Sequence, residues 1–296
     1  MDTKVRGFEY FEPKTVDEAA EVLASRGEEA KVLAGGQALL PMMSARLVNP
    51  RFLVGLSAVP ELKQIDWDDQ QGLRLGAMVT QRTIEHSVLI REKCPVLADT
   101  ASRIASSHVR NMGTIGGNLA HNLVGSDPPA TLIALGAEIG ASSTRGKRTI
   151  PASEFFTGFM ETLLQPDELL TGVRIPPLAP GGAVVYLKHT VRAVDPALVG
   201  IALLAVRNAH SGSWSEVRIG VSGVSEAPLR LRSAEDVLRV RQPDDATIKE
   251  AAKLAMDEVD PMTDAHGSAS YRRKMTGVIL GRAVRQLLMR FQMKVP

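Results

Sequence analysis

The sequence predicts a fold that mixes helices and strands in two domains, and three observations carry that expectation. Helical and strand-like periodicities follow one another along the whole chain. A length of 296 residues fits about two domains. Prolines and glycines cluster in PPLAPGG at 176–182, where a break is expected. Taking the elements in order, Thr15 and Glu18 form a capping box, with Val16, Ala19, Ala20 and Leu23 on one helical face. KVLA at 31–34 reads as a short buried strand that runs into Gly35 and Gly36. Pro41 suits the first turn of a helix carrying Met42, Met43 and Leu47, and RFLVGL at 51–56 reads as a second strand.

Further along, LRLGAMV at 73–79 has strand character, and Thr80 suits the cap of a helix carrying Ile84, Val88 and Leu89. A helix is expected over about 96–107. Asp127-Pro128 reads as an N-cap with proline at the first helical position. AEIGASS, LLTGVRIP and AVVYLKHTV read as strands. Beyond the break come strand patterns at 183–191, 197–206 and 216–223, then helical patterns at 234–240, 245–259 and about 268–291. The last of these places Tyr271, Met275, Val278, Ile279 and Leu287 toward one side and its arginines on a solvated face.

Composition narrows the function classes. With 44% hydrophobic and 23% charged residues, the chain has the balance of an ordinary soluble globular protein. A formal charge of +2 gives no reason to expect nucleic acid or an anionic membrane. The longest apolar run, Pro196 to Val206, is about half of the ~20 residues a membrane span needs. The N-terminal stretch MDTKVRGFEYFEP has no apolar core of a secretory signal. Cys94 is the only cysteine, so no internal disulfide and no iron–sulfur cluster can be built from this chain's thiols. These features point to a cytoplasmic protein.

Two glycine-rich stretches are the strongest chemical signal: VLAGGQALLP at 32–41 and RNMGTIGGNLAH at 110–121. Glycine is placed where a Cβ cannot be tolerated, and free amides in such a turn can converge on an anion. Neither stretch fits GxxxxGK[ST], and neither is a GxGxxG following a strand. What remains is two nests able to share one diphosphate. Tight turns explain most GG pairs, so the glycines alone leave both readings open.

The wording of the motifs goes further. AGGQALLPMMSARLVNP, GTIGGNLAHN and DPPATLIALGAEI, followed by YLKHTVRAVDPALVGIA, GVSEAPLR and DAHGSASYRR, resemble the FAD-binding medium subunit of the molybdenum hydroxylases. That group includes carbon monoxide dehydrogenase and xanthine dehydrogenase, and the resemblance runs over nearly the whole chain. It implies an α+β fold: an FAD domain of the vanillyl-alcohol-oxidase (PCMH) type over residues 1–177, in lobes of about 1–57 and 58–177, and a smaller α+β domain over 178–296. It also implies noncovalent FAD lying between the lobes. The first loop carries Val32, Leu33, Ala34, Gly35, Gly36, Gln37, Ala38 and Leu39, and the second Thr114, Ile115, Gly116, Gly117 and Asn118. By the same resemblance Ile104 packs on the cofactor, Asp127 accepts from its hydroxyls, Leu170 lines the flavin region and Lys188 lies near the isoalloxazine. Lys188 or Arg192 is then the candidate charge stabilising reduced flavin. Leu123 and Val124, in NLVGSDPPAT, depart from the family pattern.

The resemblance implies partners as well: a small subunit with two [2Fe–2S] clusters and a large subunit with the molybdenum cofactor, in a dimer of heterotrimers. This chain would pass electrons from those clusters through FAD to an external acceptor. Two other readings stay open, a stand-alone FAD-dependent reductase of the same superfamily and a nucleotide-binding module without redox activity.

Overall fold

Thr15 opens the first helix, α1 (Val16–Arg26), by accepting the Glu18 amide on its Oγ1 at 3.1 Å. Its partner carboxylate reaches one residue further back than a capping box requires, taking the Lys14 amide at 2.7 Å. Val16, Ala19, Ala20 and Leu23 are all buried. In the computed structural model, which describes residues 7–208, 213–241 and 243–293, β1 (Glu9–Phe11) precedes α1. After it come β2 (Ala30–Leu33), α2 (Leu39–Ser44) and β3 (Phe52–Gly55). β3 lies between β1 and β2 and runs parallel to both. Helix α2 is shorter than Leu47 would require: Arg46 turns to a φ of 60°, and Leu47 is left exposed.

The middle of the chain adds β4 (Ile65–Asp68) and β5 (Gly72–Gly76), then a run of short helices. These are α3 (Gln81–His86), α4 (Val88–Lys93), α5 (Pro95–Ser102), α6 (Ser107–Met112), α7 (Ile115–His121) and α8 (Asp127–Leu135). Where the periodicity suggested one helix after Thr80, there are two. Ser87 ends α3 in an extended conformation, and its Oγ accepts the Ile90 amide at 3.3 Å to start α4. The helix expected over 96–107 ends early: α5 stops at Ser102, Ala105 adopts a φ of +41°, and a separate helix, α6, starts at Ser107 behind the Ser106 cap. The chain continues through β6 (Glu138–Ser143), β7 (Gly146–Pro151), α9 (Ala152–Phe155), β8 (Phe156–Gly158), β9 (Glu161–Thr162) and β10 (Leu169–Ile175). An antiparallel sheet results, in the order β4-β5-β10-β6-β7.

No regular element occupies 176–181. Then β11 (Gly182–His189), β12 (Val199–Arg207), β13 (Trp214–Ser222) and β14 (Leu229–Arg230) form an antiparallel sheet in chain order. It is followed by α10 (Arg232–Val240), α11 (Asp245–Glu258) and α12 (Ala269–Met293). The sheet is buried on both faces. Ala202, Leu204 and Val206 join the larger core with α8, whereas Ile201, Leu203 and Ala205 join a second core with α10, α11 and α12. That explains why β12 is apolar without alternation. Every residue of α8 is buried, and a Cβ on Gly220 would lie 2.0 Å from the Ala130 carbonyl oxygen, so this helix sits directly on β13.

Helix α12 differs from the sequence expectation in two ways. Its buried face runs through Thr276, Ile279, Leu280, Ala283, Val284, Leu287 and Phe291, while Tyr271 and Val278 are exposed. Not all its arginines are solvated: Arg272 is buried and donates to Leu198 O, Gly223 O and Asp264.

Candidate cofactor site

The first glycine loop leaves β2 and enters α2. Gly36 has a φ of +72°, a conformation that L side chains avoid. Gly35 meets a different constraint: a Cβ there would fall 1.9 Å from the Met112 carbonyl oxygen and 3.0 Å from the Gly113 Cα. The two glycine loops therefore touch, backbone to backbone. The chain's next hydrogen bond is from the Leu40 amide to Gly36 O at 3.2 Å. The consecutive amides of Gly35, Gly36, Gln37, Ala38 and Leu39 find no acceptor among the described residues. They form an open donor array on half-exposed backbone.

The second loop is built otherwise. Thr114 caps α7, its Oγ1 taking the Gly117 amide at 3.1 Å and its carbonyl the Asn118 amide at 3.0 Å. The Ile115 amide bonds Val79 O and the Gly116 amide bonds Ala77 O, both at 2.9 Å. All the amides from Ile115 to Asn118 are thus engaged within the chain. A Cβ on Gly116 would lie 2.6 Å from the Ala77 Cβ, so this glycine serves close packing on the turn after β5. One on Gly117 would lie 2.9 Å from the Thr114 Oγ1 and 3.5 Å from the Ala34 Cβ, facing the first loop.

Asp127 is not the N-cap of α8. Ser126 occupies that position, and Asp127 is the first helical residue, with a carboxylate that is 4% exposed. One oxygen accepts the Tyr186 hydroxyl and the other accepts Lys188 Nζ at 2.9 Å. Lys188 Nζ, equally buried, also donates to Arg103 O at 2.8 Å. Burial pushes the proton affinity of Asp127 up, against the pull of Lys188 and Tyr186, and burial beside Asp127 raises that of Tyr186 well above the usual phenol range. The ion pair ties α8 and α5 to β11. Arg192, in contrast, is 73% exposed and paired with Asp195 at 3.1 Å.

Ile104 follows Arg103 and is buried, yet belongs to neither core cluster. Its position is fixed by Arg110, which donates to Ile104 O at 2.9 Å, Ala105 O at 3.0 Å and Glu85 at 2.9 Å. Leu170 is buried opposite Ala141, where β10 shifts register. Its neighbour Thr171 accepts the Ala77 amide at 3.0 Å, which sets this bulge against the turn beneath Gly116. Val32 and Leu33 are half-buried in β2. Two groupings result: both loops with the Ala77 turn and Leu170, and Ile104 with the Lys188–Asp127 pair. Sequence reasoning missed Tyr186, Glu85 and Arg110. Tyr186 was findable, because residues two apart on a strand share a face and Lys188 was already a candidate.

The comparisons with known proteins agree over both halves. Residues 6–178 match the FAD binding domain in molybdopterin dehydrogenase, and residues 185–287 match the CO dehydrogenase flavoprotein C-terminal domain. The carbon monoxide dehydrogenase medium chain of Hydrogenophaga pseudoflava is 35% identical over 277 residues, which cover 94% of this chain and 96% of that one. The nicotine 6-hydroxylase medium subunit of Paenarthrobacter nicotinovorans is 33% identical over 95% of this chain and 97% of its own length. Among solved structures, the H. pseudoflava carbon monoxide dehydrogenase superposes with a TM-score of 0.92 at 35% identity, over 95% of this chain and 97% of that one. Quinoline 2-oxidoreductase from Pseudomonas putida 86 gives a TM-score of 0.88 at 33% identity, over 96% and 97%. The chain belongs to the family of FAD-binding subunits of the molybdenum hydroxylases.

Proposed function

We propose that this chain holds FAD noncovalently, with the diphosphate on the open amides of Gly35 to Leu39. That donor array is the observation carrying the reading: it fits a doubly charged linker, and Gly36 keeps a side chain away from it. Thr114 to Asn118 wall the opposite side by packing. Ile104 and Leu170 offer apolar surface to the flavin, while Lys188 and Asp127 act first on each other and so hold Arg103 and Ile104 in place. The domain division falls near residue 177. FAD supplies two-electron acceptance together with one-electron exchange, the chemistry that connects [2Fe–2S] clusters on a partner subunit to an external acceptor.

Those clusters and the molybdenum cofactor belong to partner chains in this reading, a small and a large subunit assembled as a dimer of heterotrimers. Cys94 fits the division: it is buried, and burial pushes its thiol up to about 11, so it is no ready metal ligand. No group of three or more His, Cys, Asp or Glu suited to a metal occurs among the described residues. No helix among them is long and apolar enough to cross a membrane. The test is the visible spectrum of the purified chain. A flavin band that passes into the supernatant on denaturation is expected; a chain that stays colourless in excess FAD contradicts the reading.

A further inference from the structure

On the far side of the second core, α11 and α12 enclose an open surface groove of about 420 Å³. Its floor is apolar, with Ile248 and the exposed Val278, and its rim carries Lys249, Lys253, Lys274 and Arg282 without an intervening acid. Lys249, Lys253, Lys274 and Arg282 take part in no ion pair among the described residues, whereas the other arginines of the same helix near its start, Arg272 and Arg273, are paired with Asp264 and Asp260. A fifth, Arg285, reaches Asp245 at 3.0 Å. The formal charge of the whole chain is only +2, so this is a local concentration of one sign and not a reflection of overall basicity.

The two glycines of GVILG, at 277 and 281, behave differently beneath the groove. A Cβ on Gly277 would meet Ala252 O at 3.0 Å and Met256 Sδ at 3.1 Å, which explains it by the close approach of α11. A Cβ on Gly281 would meet nothing nearer than 3.5 Å, so internal packing does not demand a residue that weakens the helix there. An apolar floor, a cationic rim without ion pairs among the described residues, and a glycine that packing does not require occur together.

We propose that this groove seats an acidic protein segment with apolar side chains, carried by another subunit of the complex. The proposal rests on the multi-subunit reading given above. Charge complementarity names the occupant: carboxylates meet the four free cations while an apolar side chain enters beside Val278. The interaction weakens with salt, because the rim is solvent-exposed.

The experiment co-expresses the tagged full chain with the iron–sulfur and molybdenum subunits of its complex. Wild type is compared with a Lys249→Glu/Lys253→Glu/Arg282→Glu variant and with Val278→Asp. FAD content, melting temperature and assembly are measured for each, assembly by size-exclusion chromatography at low and high salt. The expected result is wild-type FAD content and melting in both variants, with association weakened at least tenfold and the wild-type complex loosened by salt. Unchanged assembly in both variants overturns the proposal. So does a wild type that joins no partner, or one whose groove binds duplex DNA or anionic vesicles in a reversal-sensitive way while assembly is unaffected. A chain without FAD would instead count against the cofactor reading, so the two failures are distinct.

Discussion

The two glycine loops look alike in sequence and differ in construction. In the first, the amides from Gly35 to Leu39 are open. In the second, those from Ile115 to Asn118 already bond Val79, Ala77 and Thr114. Gly36 is glycine for its backbone conformation, and Gly116 for its contact with Ala77. A glycine pair therefore says that a Cβ is excluded, not why. In the proposed site the first loop binds and the second supports.

If that contrast is right, damage to the support should appear as lost stability and damage to the binding loop as lost affinity. The largest effect is expected for Lys188→Met, which leaves Asp127 buried without its cation and releases Arg103 O. Breaking a buried pair costs about 3–5 kcal/mol. Denaturant unfolding of the FAD-free chain should show that loss, and Asp127→Asn added to Lys188→Met should restore part of it. Next comes Gly116→Ala. Its new methyl overlaps Ala77 at 2.6 Å, and overpacking of this kind costs about 1–3 kcal/mol. The loss should be equal with and without FAD, leaving the dissociation constant of the folded fraction nearly unchanged.

Gly36→Ala sharpens the contrast from the other side. A left-handed alanine costs about 1–2 kcal/mol, and its Cβ would press closest on the movable Leu40 side chain, at 2.9 Å, with Leu33 in ordinary contact at 3.6 Å. Here the expected signature is FAD affinity reduced by about tenfold, roughly 1.4 kcal/mol, beyond any shift in the FAD-free melt. An equal effect of Gly36→Ala and Gly116→Ala on affinity would erase the distinction.

The smallest effect is a pH dependence of the support. Burial works to raise the proton affinity of Glu85, but the Arg110 hydrogen bond and charge, with Arg82, bring it below the usual carboxylate range. A lowered folded value means that the contribution is complete above the unfolded pKa of about 4.3 and is lost as pH falls through the folded one. Acid titration of the melting temperature should be shallower in Glu85→Gln than in wild type.

Much of this was legible in the residues. The helix cap at Thr15, the strands from 183 onward and the position of both glycine loops follow from local chemistry and periodicity. The family resemblance carried the order of the motifs. The misjudged features depend on contacts distant in sequence or on single caps. Ser87 splits a helix that periodicity would continue, because a capping hydroxyl weighs little in an apolar pattern. Asp127 next to proline looks like a cap, and only the approach of Tyr186 and Lys188 from β11, about 60 residues on, shows where its carboxylate goes. The engagement of the Ile115 and Gly116 amides could not be foreseen, since their acceptors, Val79 O and Ala77 O, lie in a turn more than thirty residues earlier.

Hydrogen–deuterium exchange of the full chain with and without saturating FAD tests the central contrast most directly. Protection on binding should concentrate in the amides of Gly35 to Leu39, which find no acceptor among the described residues, with a much smaller change across Ile115 to Asn118. Equal or greater protection in the second loop, or none in the first, would contradict the account.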